Sequence, residues 1–188
     1  MPVFIDDLLS RVEKPARYTG GEMNATTKSF DDADVTFAFC FPDTYEVAMS
    51  HLGMKILYGI LNDLPYALCE RVCMPWTDMR RELKAAGRPL FSLESRHALN
   101  EFDIVGFTLQ YEMSYTNILD MLDMGGIPVR TCDRKESDPF VVAGGPCACN
   151  AEPIADFFDV IQLGEGDFVR ALTGKTVPAG NTVEGANT

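Results

Sequence analysis

The sequence has few histidines and few basic residues. Only His51 and His97 are present among 188 residues, so a mechanism that needs an imidazole must use one of these two. The 16 lysines and arginines are outnumbered by 28 aspartates and glutamates, which gives a net charge of -12. Because an acidic surface repels phosphates, this balance argues against nucleic acid or an anionic membrane surface as a partner.

Long apolar runs and a basic leader are also missing. No apolar run approaches the ~20 residues of a membrane-spanning helix, and Asp6 and Asp7 stand where a secretory signal peptide needs basic residues. We therefore expect a cytoplasmic protein. In that reducing compartment, the cysteines are predicted to be buried thiols rather than disulfides. They are Cys40, Cys69, Cys73, Cys132, Cys147 and Cys149.

The common cofactor motifs are absent as well. The sequence contains no GxxxxGK[ST] loop, and no GxGxxG follows its first apolar run. Cys69 and Cys73 have the spacing that begins a CxxxCxxC iron–sulfur motif, but Trp76 occupies the third position. Cys147 and Cys149 lack further ligands nearby in the sequence, so packing is the favoured interpretation for them.

No arrangement for nucleophilic catalysis emerges from the sequence. Ser50 and His51 are neighbours in a predicted helix, where adjacent side chains diverge by about 100° and cannot act on one substrate. We expect a polar partner or solvent around His51, and a surface position for His97.

Short apolar runs alternate with helical patterns, which predicts a doubly wound α/β domain with a mainly parallel sheet and right-handed crossovers. Helices are predicted over residues 45–61, 77–87 and 111–124. The predicted strands are residues 35–42, 67–74, 102–109, 140–143 and 160–163. In the first helix, one apolar stripe is predicted from Val47, Leu52, Ile56, Leu57, Ile60 and Leu61.

The predicted α/β domain comprises residues 35–172, and the two ends of the chain differ from it. Residues 1–34 are predicted to form a short helix and a loop that covers the domain. Within them, Lys14 and Arg17 have two possible roles, contact with a phosphate or pairing with carboxylates, and we favour pairing. Residues 173–188 are poor in large apolar groups and are predicted to be disordered.

The last two predicted strands each end in a glycine turn. Gly144 and Gly145 follow one strand, and residues 164–166 follow the other. In open α/β sheets, ligands bind at the carboxyl ends of the strands, where glycines let a ligand approach the backbone. The alternative is that these glycines only make tight turns. Glu165, between two of them, suits either a ligand contact or a helix cap.

The chain resembles a known family in four segments. They are PDTYEVAMSHLGMKIL, FDIVGFTLQYEMSYTNIL, VVAGGPCACNAEP and DVIQLGEGD, and together they are similar to the amino-terminal, cobalamin-binding domain of radical S-adenosylmethionine (radical SAM) enzymes. KPARYTGGEMN and SHLGMKILYGILN look closer still to one uncharacterised branch of that superfamily. The similarity covers about residues 10–170.

The resemblance implies a five-stranded Rossmann-like sheet whose carboxyl edge holds the lower face and nucleotide tail of cobalamin. The relatives that donate a histidine to cobalt carry DxHxxG, whereas Met49 and Met54 occupy the flanking positions around His51. Cobalamin is therefore expected either to bind without that ligand, with its own base on cobalt, or to have been lost. The implied cofactor-binding residues are Thr108, Leu109, Gly144, Gly145, Gly164, Glu165 and Gly166.

In the resembled family, a barrel that carries a [4Fe-4S] cluster and S-adenosylmethionine follows this domain. We expect that half to be missing after Thr188, so that this chain is truncated and inactive by itself. Two functions remain open: a corrinoid-binding domain, and a structural module that packs on such a barrel or self-associates through an exposed sheet face. An independent enzyme would need an acid, base or nucleophile that the sequence does not reveal.

Overall fold

A computed structural model describes residues 1–164, which form an α/β domain around one parallel sheet. The strand order is β2-β1-β3-β4-β5, and every neighbouring pair is parallel. All five carboxyl ends therefore lie along one edge, called the carboxyl edge below. The strands are β1 (Val35–Phe41), β2 (Ala67–Cys73), β3 (Ile104–Thr108), β4 (Phe140–Gly144) and β5 (Val160–Ile161).

Helices cover both faces of the sheet, which confirms the predicted doubly wound class. α2 and α3 pack on the face that carries Phe37 and Phe39, and α5 packs on the face that carries Ala38 and Cys40. The faces differ because successive strand residues point to opposite sides. The α-helices are α1 (Asp6–Leu9), α2 (Tyr45–Ser50), α3 (Leu52–Asn62), α4 (Thr77–Ala86) and α5 (Tyr115–Met124), and six short 3-10 helices lie in the connecting segments of residues 1–164.

The predicted helix over residues 45–61 is wrong as a single element, because it is broken at His51. His51 has an extended backbone, and its Nδ1 accepts a hydrogen bond of 3.2 Å from the Met54 amide, so it acts as the N-cap of α3. The break resets the helical phase, and half of the predicted apolar stripe points to solvent. Leu52 is 68% exposed, for example, whereas Leu61 is buried as predicted. The exposed members are Val47, Leu52 and Ile56.

Two further predictions need correction. His97 is half-buried rather than fully at the surface, because Phe30 of the covering segment stacks on its ring at 3.7 Å between centroids. Its Nδ1 lies 2.6 Å from the Ser95 Oγ. All six cysteines are free thiols, as predicted, but Cys132 and Cys149 are exposed rather than buried.

The amino-terminal segment lies over the domain, as expected. Lys14 and Arg17 both pair with the Glu46 carboxylate, at 3.3 and 2.9 Å, which confirms the pairing interpretation. The hydrogen bond from Arg17 lowers the pKa of Glu46 to about 2. Within residues 1–164, no helix is long and apolar enough to cross a membrane. The predictions for residues 165–172 and 173–188 lie outside the described residues.

Candidate functional site at the carboxyl edge

A cavity of about 180 Å³ opens at the carboxyl edge, between α3 and the sheet face on which it packs. We call it the edge cavity. Phe37 and Phe39 of β1 and Val142 of β4 contribute apolar side chains from the sheet, and Met54 and Leu57 contribute them from α3. Because nearly all of this surface is apolar, the cavity suits a flat hydrophobic group better than a charged one.

A chain of three polar side chains also lines the cavity. Because the His51 Nδ1 accepts from a backbone amide, the proton lies on Nε2, which donates to Gln110 Oε1 at 3.1 Å. The amide nitrogen of Gln110 in turn donates to the Thr108 hydroxyl. Both ring nitrogens are thus engaged, so His51 presents no free lone pair to a metal in this arrangement. The predicted polar environment of His51 is confirmed.

The glycine turns serve different purposes. Gly145 has φ +116°, and a Cβ on it would lie 3.0 Å from the Leu109 carbonyl oxygen, so the turn itself requires glycine. A Cβ on Gly144 would make only ordinary contact with Gln162, at 3.5 Å, and one on Gly164 would meet no atom within 4 Å. Gly144 and Gly164 therefore leave room beside the cavity, although the φ of +102° at Gly164 also favours glycine there.

The structure brings four of the seven predicted site residues together. Leu109 is fully buried and does not line the cavity; its amide donates to the Gly144 carbonyl oxygen at 2.7 Å. Glu165 and Gly166 lie outside the described residues. The four that line the edge cavity are Thr108, Gly144, Gly145 and Gly164.

Sequence reasoning missed Gly106, which lies inside β3 and lines the cavity. A Cβ there would lie 2.3 Å from Cζ of Phe37, so the missing side chain makes space for that ring. An isolated glycine in a strand is the available signal, since it commonly marks a close approach. His51 was also missed as a lining residue, because its position depends on how α3 begins. Gln110 lines the cavity, as its place directly after the third strand predicts.

The sequence pattern of the family described as "Radical SAM proteins, N-terminal" matches residues 53–181, more than half of the chain. The chain belongs to this family. An uncharacterized protein of Methanocaldococcus jannaschii is 37% identical over 131 residues, which are 68% of this chain and 23% of that protein. The chain thus spans about a quarter of the length of that curated relative. No solved structure matches the chain.

Cobalamin fits the edge of this radical SAM N-terminal domain only in part. Pockets that enclose whole drug-sized ligands measure about 300–1,000 Å³, whereas the edge cavity measures about 180 Å³. The cavity between α3 and the sheet is thus too small for the whole cofactor, and only a planar base could enter it. A [4Fe-4S] cluster does not fit residues 1–164, where no three histidine, cysteine, aspartate or glutamate side chains are placed to hold a metal.

Proposed function

We propose that this radical SAM N-terminal domain binds a corrinoid by taking its planar base into the edge cavity. The observation that supports this proposal is the position of an apolar cavity at the carboxyl ends of β1, β3 and β4, beside two glycine turns. A bound corrinoid would supply methyl transfer or electron transfer to a radical SAM protein. The domain's own residues would bind and orient the corrinoid.

Each group in the cavity has a role in that binding. Phe37 and Phe39 offer aromatic surface to a flat base, and Met54 closes the opposite wall with a polarizable thioether. Gln110, held between His51 and Thr108, presents its amide at the polar side of the cavity. Gly144 leaves the backbone open to close approach.

The test is a visible-absorption titration of the 188-residue chain with hydroxocobalamin, followed by gel filtration. We expect a shifted spectrum and colour that co-elutes with the protein. Gly144→Leu should fill the space beside the cavity and weaken binding at least tenfold, whereas Gly144→Ala should bind nearly normally because its methyl group meets only ordinary contacts. Free cobalamin that runs separately from folded protein would reject the proposal.

Gly144 is a better test position than Gly145. Any side chain at Gly145 would strain the turn, because the residue has φ +116° and lies close to the Leu109 backbone. A Gly145 variant that failed to bind would therefore report damage to the fold. A Gly144 variant instead tests whether the ligand occupies the space beside this residue.

An interaction module of the same fold is the second candidate, and exposed apolar side chains favour it. Leu52, Trp76, Met113 and Leu163 follow different strands, so all four lie towards the carboxyl edge, where a radical SAM barrel or a second copy could cover them. Colourless protein that sediments as a dimer, and that becomes monomeric on Leu52→Glu with Met113→Glu, would support this function. A colourless monomer would count against both.

A further inference from the structure

A second and larger cavity lies away from the carboxyl edge. It measures about 510 Å³ and runs between α3 and residues 22–26 of the amino-terminal segment. We call it the strap groove. Two contacts fix its outer wall: Tyr45 Oη donates to Glu22 at 3.0 Å, and the Thr26 amide donates to the Tyr58 hydroxyl at 2.6 Å. The volume lies in the range of ligand-binding pockets, ~300–1,000 Å³.

A buried arginine forms part of the groove, and one edge of its guanidinium lacks a strong acceptor. The Arg71 side chain is only 8% exposed. Its Nε donates to Glu94 at 2.6 Å and its Nη2 to Glu22 at 3.0 Å, but Nη1 has only the Met49 sulfur, at 3.4 Å. A thioether is a weak acceptor. This side of the guanidinium is therefore available to a carboxylate oxygen from a ligand.

Gly59 leaves the middle of the groove open. It lies inside α3, lines the groove, and a Cβ added to it would meet no atom within 4 Å. Neither local packing nor a left-handed backbone requires glycine at this position. Glycine in a helix interior is destabilising relative to alanine, and one use of it is to let a ligand approach the backbone closely.

The charges along the groove are ordered. Lys55 lies one turn before Tyr58 in α3, and the Arg71 guanidinium lies over the Tyr58 ring at 4.6 Å from its centroid. Asp63 lies just after the end of α3. Within residues 1–164, neither the Lys55 ammonium nor the Asp63 carboxylate forms a salt bridge of 4 Å or less, although Lys28 lies near enough to Asp63 for an electrostatic attraction. The groove thus has a cationic end, an open centre at Gly59 and an anionic end, spread over two helical turns, or about 12 Å of helix axis.

We propose that the strap groove binds a linear zwitterion of about dipeptide length. Its carboxylate would lie at Arg71 and Lys55, its backbone over Gly59, and its ammonium group at Asp63. Two extended residues span roughly 7 Å, which is shorter than the ~12 Å of helix axis between Lys55 and Asp63, so both side chains would reach inward to meet the ends of the ligand. A zwitterion also adds no net charge beside the carboxylates already paired with Arg71. This site is independent of the proposed corrinoid function.

The probe is 6-aminohexanoate, tested by isothermal titration calorimetry on the 188-residue chain. Hexanoate and hexylamine have the same hydrocarbon length but only one charge each. We expect saturable binding of 6-aminohexanoate and at least tenfold weaker binding of either analogue. Absent binding, or equal binding of all three compounds, would overturn the proposal.

Two variants at one position locate the site. Gly59→Leu should abolish binding because it fills the open centre, whereas Gly59→Ala should retain it. Circular dichroism should show both variants folded, since a Cβ at this position meets no atom within 4 Å and both alanine and leucine are favourable in a helix. Lys55→Gln should weaken 6-aminohexanoate at least threefold and leave hexylamine unchanged. Unaltered affinity in Gly59→Leu would place the probe elsewhere and contradict the proposal.

Discussion

Helix α3 separates two cavities of opposite character. Met54 and Leu57 face the edge cavity, and Lys55 and Gly59 face the strap groove. Neighbouring residues can serve different cavities because adjacent side chains on a helix diverge by about 100°. One amphipathic helix, with a sheet on one side and a covering segment on the other, can thus border both an apolar and a charged cavity.

The two cavities are also held together by different forces. The edge cavity depends on apolar packing and on a neutral hydrogen-bond chain through His51. The strap groove depends on a buried ion pair between Arg71 and Glu94. The burial is strong enough to raise the pKa of Glu94 even though Arg71 pairs with it. Burial and the bond to Glu22 also raise the pKa of Tyr45 to about 12, so that it remains a neutral donor. Substitutions should therefore act differently at the two sites.

Arg71→Ala should have the largest effect. It would leave Glu22 and Glu94 without their cation, and breaking a buried ion pair from one side costs about 3–5 kcal/mol. Urea denaturation would measure the free energy of unfolding. Arg81→Ala is the matched control, because the Arg81 side chain is 71% exposed and its pair with Glu82 should contribute less than about 1 kcal/mol. Equal effects of the two substitutions would show that charge does not hold the groove.

Gly106→Val tests the packing of the edge cavity and should have the next largest effect. The new Cβ would lie 2.3 Å from the Phe37 ring, and overpacking of this kind costs about 1–3 kcal/mol. Gly144→Ala, which also borders the cavity, should change the free energy of unfolding by less than about 0.5 kcal/mol. If both variants unfolded at the same urea concentration, Phe37 would have room to move aside, and the valine would be accommodated without overpacking.

His51→Ala tests the polar side of the same cavity. Removal of an N-cap side chain costs about 1 kcal/mol, and the Gln110 amide oxygen would also lose the donor at His51. His51→Asn is the control, since asparagine is a favourable N-cap residue and should recover most of the loss. Thermal unfolding of the two variants would separate capping from other roles of the imidazole. Similar losses in both would contradict the capping role.

The sheet could be predicted from the sequence because its strands are buried on both faces and therefore appear as short, continuous apolar runs. The break at His51 could not, because histidine is not among the common N-cap residues and the apolar spacing continues across it. The strap groove was also invisible in the sequence. Arg71 meets Glu22 across 49 residues and Glu94 across 23, and no local pattern reports contacts of that range.

Gly59→Ala should have the smallest effect and the opposite sign. Alanine is favoured over glycine in a helix interior by about 0.5–1 kcal/mol, partly because the unfolded chain loses freedom, and here the added methyl group meets no atom. Gly87→Ala is an informative partner: its Cβ would also meet open space, but the residue has φ +61° at the end of α4. Thermal unfolding should therefore show Gly59→Ala stabilised and Gly87→Ala destabilised. If Gly59→Ala were destabilised as well, α3 would need glycine for its own conformation, and the open centre of the strap groove would be a consequence of folding rather than a feature of ligand binding.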